Sequence, residues 1–218
     1  MNHRYLTGEQ FAKLTGVELP TYRLCHARDL FVFSTFTGLG RADLANLTSE
    51  NIVTEPDGSR WIHIERQKTK AECHIKLLDI PSRIIDKYKG EGKDGKLFFV
   101  PATSSLCRSL KMIEEQCKLG CHLTFYMARH SFATLICLGN GVPIETISRM
   151  MGHSSIRTTQ IYAEITNQKV NRDLLRLADT TKNQYSLPDD KMTPRVYQCG
   201  RYNGWKEEDD NRTSGKAM

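Results

Sequence analysis

The 218-residue chain (24.9 kDa) carries 31 Lys and Arg against 25 Asp and Glu, a net charge of +6 and a sequence pI near 8.9. With 39% hydrophobic and 26% charged residues and a mean hydropathy of −0.48, it can build a core and is not a mostly disordered chain. No apolar run approaches the ~18–20 residues that span a bilayer; the longest candidate, residues 30–36, is interrupted by Ser34 and Thr35. No membrane association is expected. The N-terminus, Met-Asn-His-Arg-Tyr, is not followed by an apolar stretch of the secretory kind. Seven cysteines, an odd number without framework spacing, fit a reducing cytosol. A cytoplasmic protein is therefore expected. The basic balance permits nucleic-acid binding without establishing it.

A first short helix is predicted over 7–14, with Thr7 as N-cap and Gln10 in the capping-box position. Gly16 and Pro20 break it. Residues 22–36 are densely apolar, with Leu24, Ala27 and Phe31 at helical spacing, which predicts a buried helix. Gly38 and Gly40 end it, and 41–47 restarts as a short helix. Between Asn51 and Ile80 the period changes to two. Residues 61–64 and 73–77 alternate, so Ile62 and Ile64 can share an inner face with Cys73, Ile75 and Leu77. Pro56-Asp57-Gly58 and Gln67-Lys68-Thr69-Lys70 are the turns of a predicted three-stranded antiparallel sheet.

Helices then take over. Residues 105–119 carry Leu106, Leu110, Ile113 and Cys117 on one face, with Gly120 just past the end. A helix over 125–138 ends at Gly139-Asn140-Gly141. Another is opened by Pro143 and closed by Gly152. Ser155 caps the next, and Thr166 caps a last helix over 167–178. The fold class is thus mainly α with a small three-stranded antiparallel sheet. The division is an N-terminal lead-in (1–20), a main domain (21–179) and a C-terminal tail (180–218), the tail being too polar to predict order.

The strongest local signal is the run from Leu123 to Thr134, Leu-Thr-Phe-Tyr-Met-Ala-Arg-His-Ser-Phe-Ala-Thr. On a helix, Tyr126 and Arg129 project from one face. Met151-Gly152-His153-Ser154-Ser155 follows, and Tyr162 stands nine residues beyond His153. In this order and spacing the segments resemble the second conserved box of the tyrosine recombinases, the phage-type integrases, of the mobile-element kind. Gln67-Lys68-Thr69 resembles that family's lysine-bearing hairpin. The run from Thr37 to Leu44 resembles its first box. Singly, each residue has an ordinary explanation: an interfacial aromatic, a surface arginine, a solvated lysine. Their joint order is what is specific.

The resemblance implies a DNA breaking–rejoining catalytic domain and the chemistry of site-specific recombination. Tyr162 would attack a phosphodiester and hold the cut strand as a 3′-phosphotyrosine, which conserves the bond energy without ATP. Arg129 would fork the phosphate, Lys68 would protonate the departing 5′-oxygen, and His153 would hydrogen-bond the phosphate or assist the nucleophile. Tyr126 occupies the family's histidine position, where a phenol still donates. Gly40 occupies the first-arginine position, and Arg41 and Arg66 are the candidates to replace it, Arg41 being favoured by its place beside Asp43. Asp43 would buttress these donors, and His130 reads as a packed histidine supporting the helix.

No cofactor or metal is implied, and Cys117, Cys121 and His122 lack a fourth zinc ligand. The implied partner is a double-stranded DNA recombination site, bound by a tetramer on paired sites, with DNA-bending accessory proteins possible. A bacterial prophage or conjugative element would be the source, and the N-terminal DNA-clamping domain of family members is not recognised in the chain. Two other readings stay open: a DNA-binding remnant that has lost turnover, and a type IB topoisomerase-like enzyme.

Overall fold

The computed structural model describes residues 4–162 and 167–181. Contacts divide the chain into residues 1–175 and 176–218. The first unit is helical apart from one small sheet. Its helices are α1 (Gly8–Gly16), α2 (Tyr22–Thr37), α3 (Arg41–Asn46), α4 (Asp79–Lys87), α5 (Thr103–Cys117), α6 (Phe125–Ser131), α7 (Ile144–Met150) and α8 (Ile156–Gln160). A ninth helix, α9 (Asn167–Thr181), runs across the boundary and exposes Leu174, Leu175 and Leu177. The predicted cap Thr166 and most of the predicted tail lie outside the described residues.

α2 is the axis of the fold. Eleven of its sixteen residues are buried, so it presents no solvent stripe, as its dense apolar pattern predicts. It packs against α4, α5 and α6. Gly38 ends it in the left-handed region (φ 68°), and its amide donates to the Ser34 carbonyl. A Cβ there would come within 2.5 Å of the Phe132 ring, so glycine is required twice over. α1 has the expected capping box, and Leu6 and Leu14 are fully buried in the main core. The Leu6 amide also donates to Ser131 Oγ (2.9 Å), so the lead-in is packed into the same body as the helices that follow.

The sheet is the predicted antiparallel meander, β1 (Ile52–Thr54), β2 (Arg60–Glu65) and β3 (Glu72–Lys76) in that order. Ile62 faces Ile75 and Ile64 faces Cys73, which puts the apolar residues on one side. His63 and His74 pair across the other.

Three elements depart from the sequence reading. α4 was not expected. Pro81 falls in its first turn, where a missing N–H is harmless, and Ile84 and Ile85 are buried. α5 ends at Cys117, not residue 119, because Lys118 takes the left-handed conformation (φ 50°). The helix expected over 125–138 is α only to Ser131. It widens into a π-helical stretch, Phe132–Cys137, and closes as a 3-10 turn, Leu138–Asn140.

Two apolar clusters result. The larger joins α1, α2, the sheet, α4 and α5. The smaller consists of Phe132, Ala133, Cys137, Ile147, Met151 and Tyr162.

Candidate active site

The site lies where the end of α2, the β2–β3 hairpin, α6 and the α7–α8 turn meet. α6 is started by Thr124, whose hydroxyl accepts from the Met127 amide (3.0 Å), and this sets the helical face on which Arg129 stands. The Arg129 guanidinium donates through Nη1 to the Gly38 carbonyl. Its Nη2 donates to the Met151 carbonyl (2.8 Å) and reaches His153 Nε2 at 2.9 Å. Burial, followed by the charge of Arg66, pushes its pKa down to about 10, so it stays cationic at neutral pH.

Arg66 directly follows β2 and is 7% exposed. Its Nη2 pairs with Asp43 Oδ2 (3.1 Å), while Nη1 is buried without a partner among the described residues. Asp43 also accepts from the Gly40 amide (3.3 Å) and the Gln67 amide (3.1 Å). One carboxylate thus joins the start of α3, the hairpin and the guanidinium. The charge of Arg66 is felt at Arg129, His153 and Tyr162. Arg41 points elsewhere: its Nη2 donates to the Pro101 carbonyl (3.2 Å). The structure therefore gathers Arg66, and not Arg41, with Arg129.

Lys68 is exposed at the hairpin tip. The tip is tethered by Thr69 Oγ1, which donates to the Gly152 carbonyl (3.1 Å). Gly152 has φ 62°, and a Cβ there would lie 2.6 Å from Cys73 Sγ and 2.8 Å from Arg66 Cγ. That glycine lets the turn before His153 lie directly on the hairpin. His153 Nδ1 lies 2.8 Å from Thr159 Oγ1, and Thr159 is fully buried. Burial, then Arg129 and Arg66, push the His153 pKa down to about 4, leaving a neutral ring at physiological pH.

Tyr162 follows α8 and is 4% exposed. Its amide donates to the Thr159 carbonyl (3.0 Å), and its own carbonyl accepts from Thr134 Oγ1 (3.2 Å) in the π-helical stretch. Its ring lies parallel to His153 (8°, centroids 6.1 Å) and tilted against His130 (4.4 Å). Burial raises the phenol pKa, and Arg129 pulls it back by charge and hydrogen bonding. His130 is sandwiched between Tyr162 and the exposed Tyr126 (4.2 Å), with Nε2 unpartnered among the described residues. Burial, Arg4 and Arg129 push its pKa down to about 4.

Of the residues named from the sequence, Arg129, His153, Tyr162 and Tyr126 converge, Lys68 stands on the adjoining hairpin, and Arg41 does not join them. Thr69, Thr134, Gly152 and Thr159 were not singled out. Their hydroxyls, and the missing Cβ, act across turns that periodicity does not reveal. The His122 ring Nδ1 lies 3.2 Å from Glu114. Among the described residues no group of three or more His, Cys, Asp or Glu could hold a metal ion, and no helix is long and apolar enough to cross a membrane.

Helical body, three-stranded sheet and this cluster together define the class: the catalytic-domain fold of the tyrosine recombinases. The crystal structure of a XerA recombinase superposes with a TM-score of 0.64 at 19% identity, covering 81% of this chain and 66% of that one. XerH site-specific recombinase bound to difH substrate, in a pre-cleavage complex, gives 0.62 at 20% identity, covering 79% and 54%. The sequence matches the phage integrase family over residues 4–169, and the chain belongs to that family. Tyrosine recombinase XerA of Saccharolobus solfataricus is 28% identical over 149 residues, 68% of this chain and 49% of the relative. That of Thermococcus onnurineus is 29% identical over 174 residues, 74% and 58%. The chain thus spans about half the length of the curated relatives it matches.

Proposed function

We propose that this domain cleaves and rejoins double-stranded DNA at a specific recombination site, through a 3′-phosphotyrosyl intermediate on Tyr162. The observation that carries the reading is the contact of Arg129 with His153 (2.9 Å) beside the ring of Tyr162, where the charge of Arg66 is also felt. Attack by Tyr162 Oη forms an O–P bond and breaks the P–O5′ bond. Charge builds on the non-bridging oxygens, where Arg129 and the open Nη1 of Arg66 would donate. Lys68 would give its proton to the departing 5′-oxygen, and the reverse sequence reseals the strand. Arg66 replaces the missing first arginine, in preference to Arg41, which is committed to Pro101. With that donor supplied, the remnant reading loses its premise. Tyr126 would add a phenolic hydrogen bond at the rim.

Each Tyr162 can hold one cut strand, and exchange between two duplexes cuts four, which supports a tetramer on paired sites. A cytoplasmic, bacterial setting fits a DNA substrate and seven cysteines. The test is a denaturing gel of end-labelled, nicked duplex carrying the cognate site. Tyr162→Phe should bind DNA as the parent does and form no covalent adduct. An adduct of parental yield in the variant would reject Tyr162 as nucleophile.

A further inference from the structure

We propose that His63 and His74, on the outer face of the sheet, form a site for one divalent transition-metal ion of the zinc, nickel or copper class. The site lies apart from the residues assigned to strand cleavage and does not depend on their roles. It begins with register. The Leu77 amide donates to the Arg60 carbonyl (2.8 Å) and the Arg66 amide to the Ala71 carbonyl (2.9 Å), so 60–77 and 66–71 are hydrogen-bonded pairs. Bonded and non-bonded pairs alternate along an antiparallel ribbon, and counting from either end makes His63–His74 a non-bonded pair. In such pairs the α-carbons stand ~4.5 Å apart and the side chains are at their closest. The two imidazole centroids are 4.4 Å apart, one ring edge-on to the other (86°). His74 is exposed and His63 half-buried. Among the described residues neither ring nitrogen makes a hydrogen bond.

Negative charge borders the pair on both sides. The next non-bonded pair toward the hairpin tip is Glu65–Glu72, two exposed carboxylates set opposite each other on the same face. Like charges so placed weaken a ribbon, and Lys70 offsets Glu65 alone (3.4 Å). On the other flank, both imidazoles share an open concavity of about 470 Å³ with Glu55 and Asp57 of the β1–β2 turn. At ~30 Å³ per water, that is ample room for an ion and its hydration. Asp57 accepts from Ser59 and contributes charge only. The neighbouring Lys76 amine is engaged over the Trp61 ring, 5.6 Å from its centroid. Imidazole suits zinc, nickel and copper, whereas magnesium and calcium seek oxygen. Zn–N bonds of ~2.0–2.1 Å let two nitrogens on one ion lie at most ~4.2 Å apart, so a turn of the exposed His74 ring suffices to bring them together. No set of three or more His, Cys, Asp or Glu is preformed among the described residues. Two imidazoles therefore hold the ion, water completes its shell, and the carboxylates act through charge. Occupied, the site would pin β2 to β3 midway along the hairpin that ends in Lys68.

The probe is zinc sulfate alone, titrated into the full chain labelled with 15N-histidine at pH 7 and followed by ring 15N–1H correlation. His63→Gln and His74→Gln assign the two rings. In the parent both rings should shift together, saturably and with one midpoint. In either single variant the remaining ring should respond with a midpoint at least ~10-fold higher, because the second imidazole no longer binds at high effective concentration. The double variant Glu65→Gln, Glu72→Gln should raise the shared midpoint several-fold while both rings still shift. Magnesium sulfate at the same concentrations should move neither ring. Zinc taken up elsewhere moves other resonances. Separate midpoints for the two rings overturn the proposal, as do rings that zinc leaves unmoved, or a single variant that binds as tightly as the parent. A double glutamine variant with the parental midpoint, or an equal response to magnesium, overturns it as well. Should a variant fail to fold, the joint titration of the parent still decides.

Discussion

Arg66 is the proposed substitute for the first-box arginine. A guanidinium this buried would be costly alone, and Asp43 compensates only one of its nitrogens (3.1 Å). The other is a buried donor without a partner among the described residues, close enough to Arg129 for the two charges to interact, an arrangement that makes sense if an anion arrives there. Arg66→Ala should therefore slow single-turnover cleavage by ~10²-fold or more with little change in DNA affinity. Arg41→Ala should cleave within a few-fold of the parent, because it loses only the bond to the Pro101 carbonyl. Equal losses from the two variants would return Arg41 to consideration. His130 makes a different statement, about stability. Burial holds its pKa near 4, against 6.5 for the ordinary ring. Between those values the unfolded chain binds more protons than the folded one. Stability is thus complete above about pH 6.5 and declines as pH falls toward 4, with His153 acting in the same direction. At ~1.4 kcal/mol per pKa unit, His130 contributes on the order of 3–4 kcal/mol across that window. His130→Leu should flatten the acid limb of Tm against pH, measured by calorimetry from pH 7 to 4.

At the scale of elements, the β2–β3 hairpin brings Lys68 to the cleft, and Thr69 fastens it to Gly152. Lys68→Ala should slow cleavage of a normal phosphodiester by ~10²-fold. On a substrate with a 5′-bridging sulfur, whose thiolate leaves without a proton, the variant should recover most of the parental rate. An equal defect on both substrates would remove Lys68 from the acid role. The hairpin was legible because alternation at 61–64 and 73–77 leaves one register that buries Ile62, Ile64, Cys73 and Ile75 together. α2 was legible for the opposite reason, its apolar residues being dense enough that eleven of its sixteen positions are buried. α4 was not, because Pro81 and the charged Asp79, Arg83 and Asp86 mask a short apolar pair. Nor was the π-helical stretch: Phe132 to Cys137 keep a helical-looking pattern while the backbone adds width, and only the Thr134 contact to Tyr162 shows what the width achieves. In the site, Tyr162, His153 and Arg129 were legible from order and spacing. That Arg66, and not Arg41, lies with Arg129 was not, since it depends on Asp43 reaching across to the residue after β2.

For the molecule as a whole, membership of the phage integrase family and a body matched over 166 residues, 4–169, place the fold beyond dispute. Within that body the proposed nucleophile lies outside the main cluster. Tyr162 packs with Phe132, Ala133, Cys137, Ile147 and Met151 in a smaller cluster, which meets the main core through Met150 and through Phe132 against Gly38. A cluster of six residues protects far less apolar surface than the core around α2, so it can open at a free energy well below that of global unfolding. Hydrogen exchange should resolve this. Amides of α8 and Tyr162 should exchange through a local opening that depends weakly on denaturant, and those of α2 only through complete unfolding. The tyrosine proposed to travel to a phosphate is thus held by a part of the protein that can let go while everything around α2 stays folded, so the proposed cleavage and structural integrity would draw on separate reserves of stability.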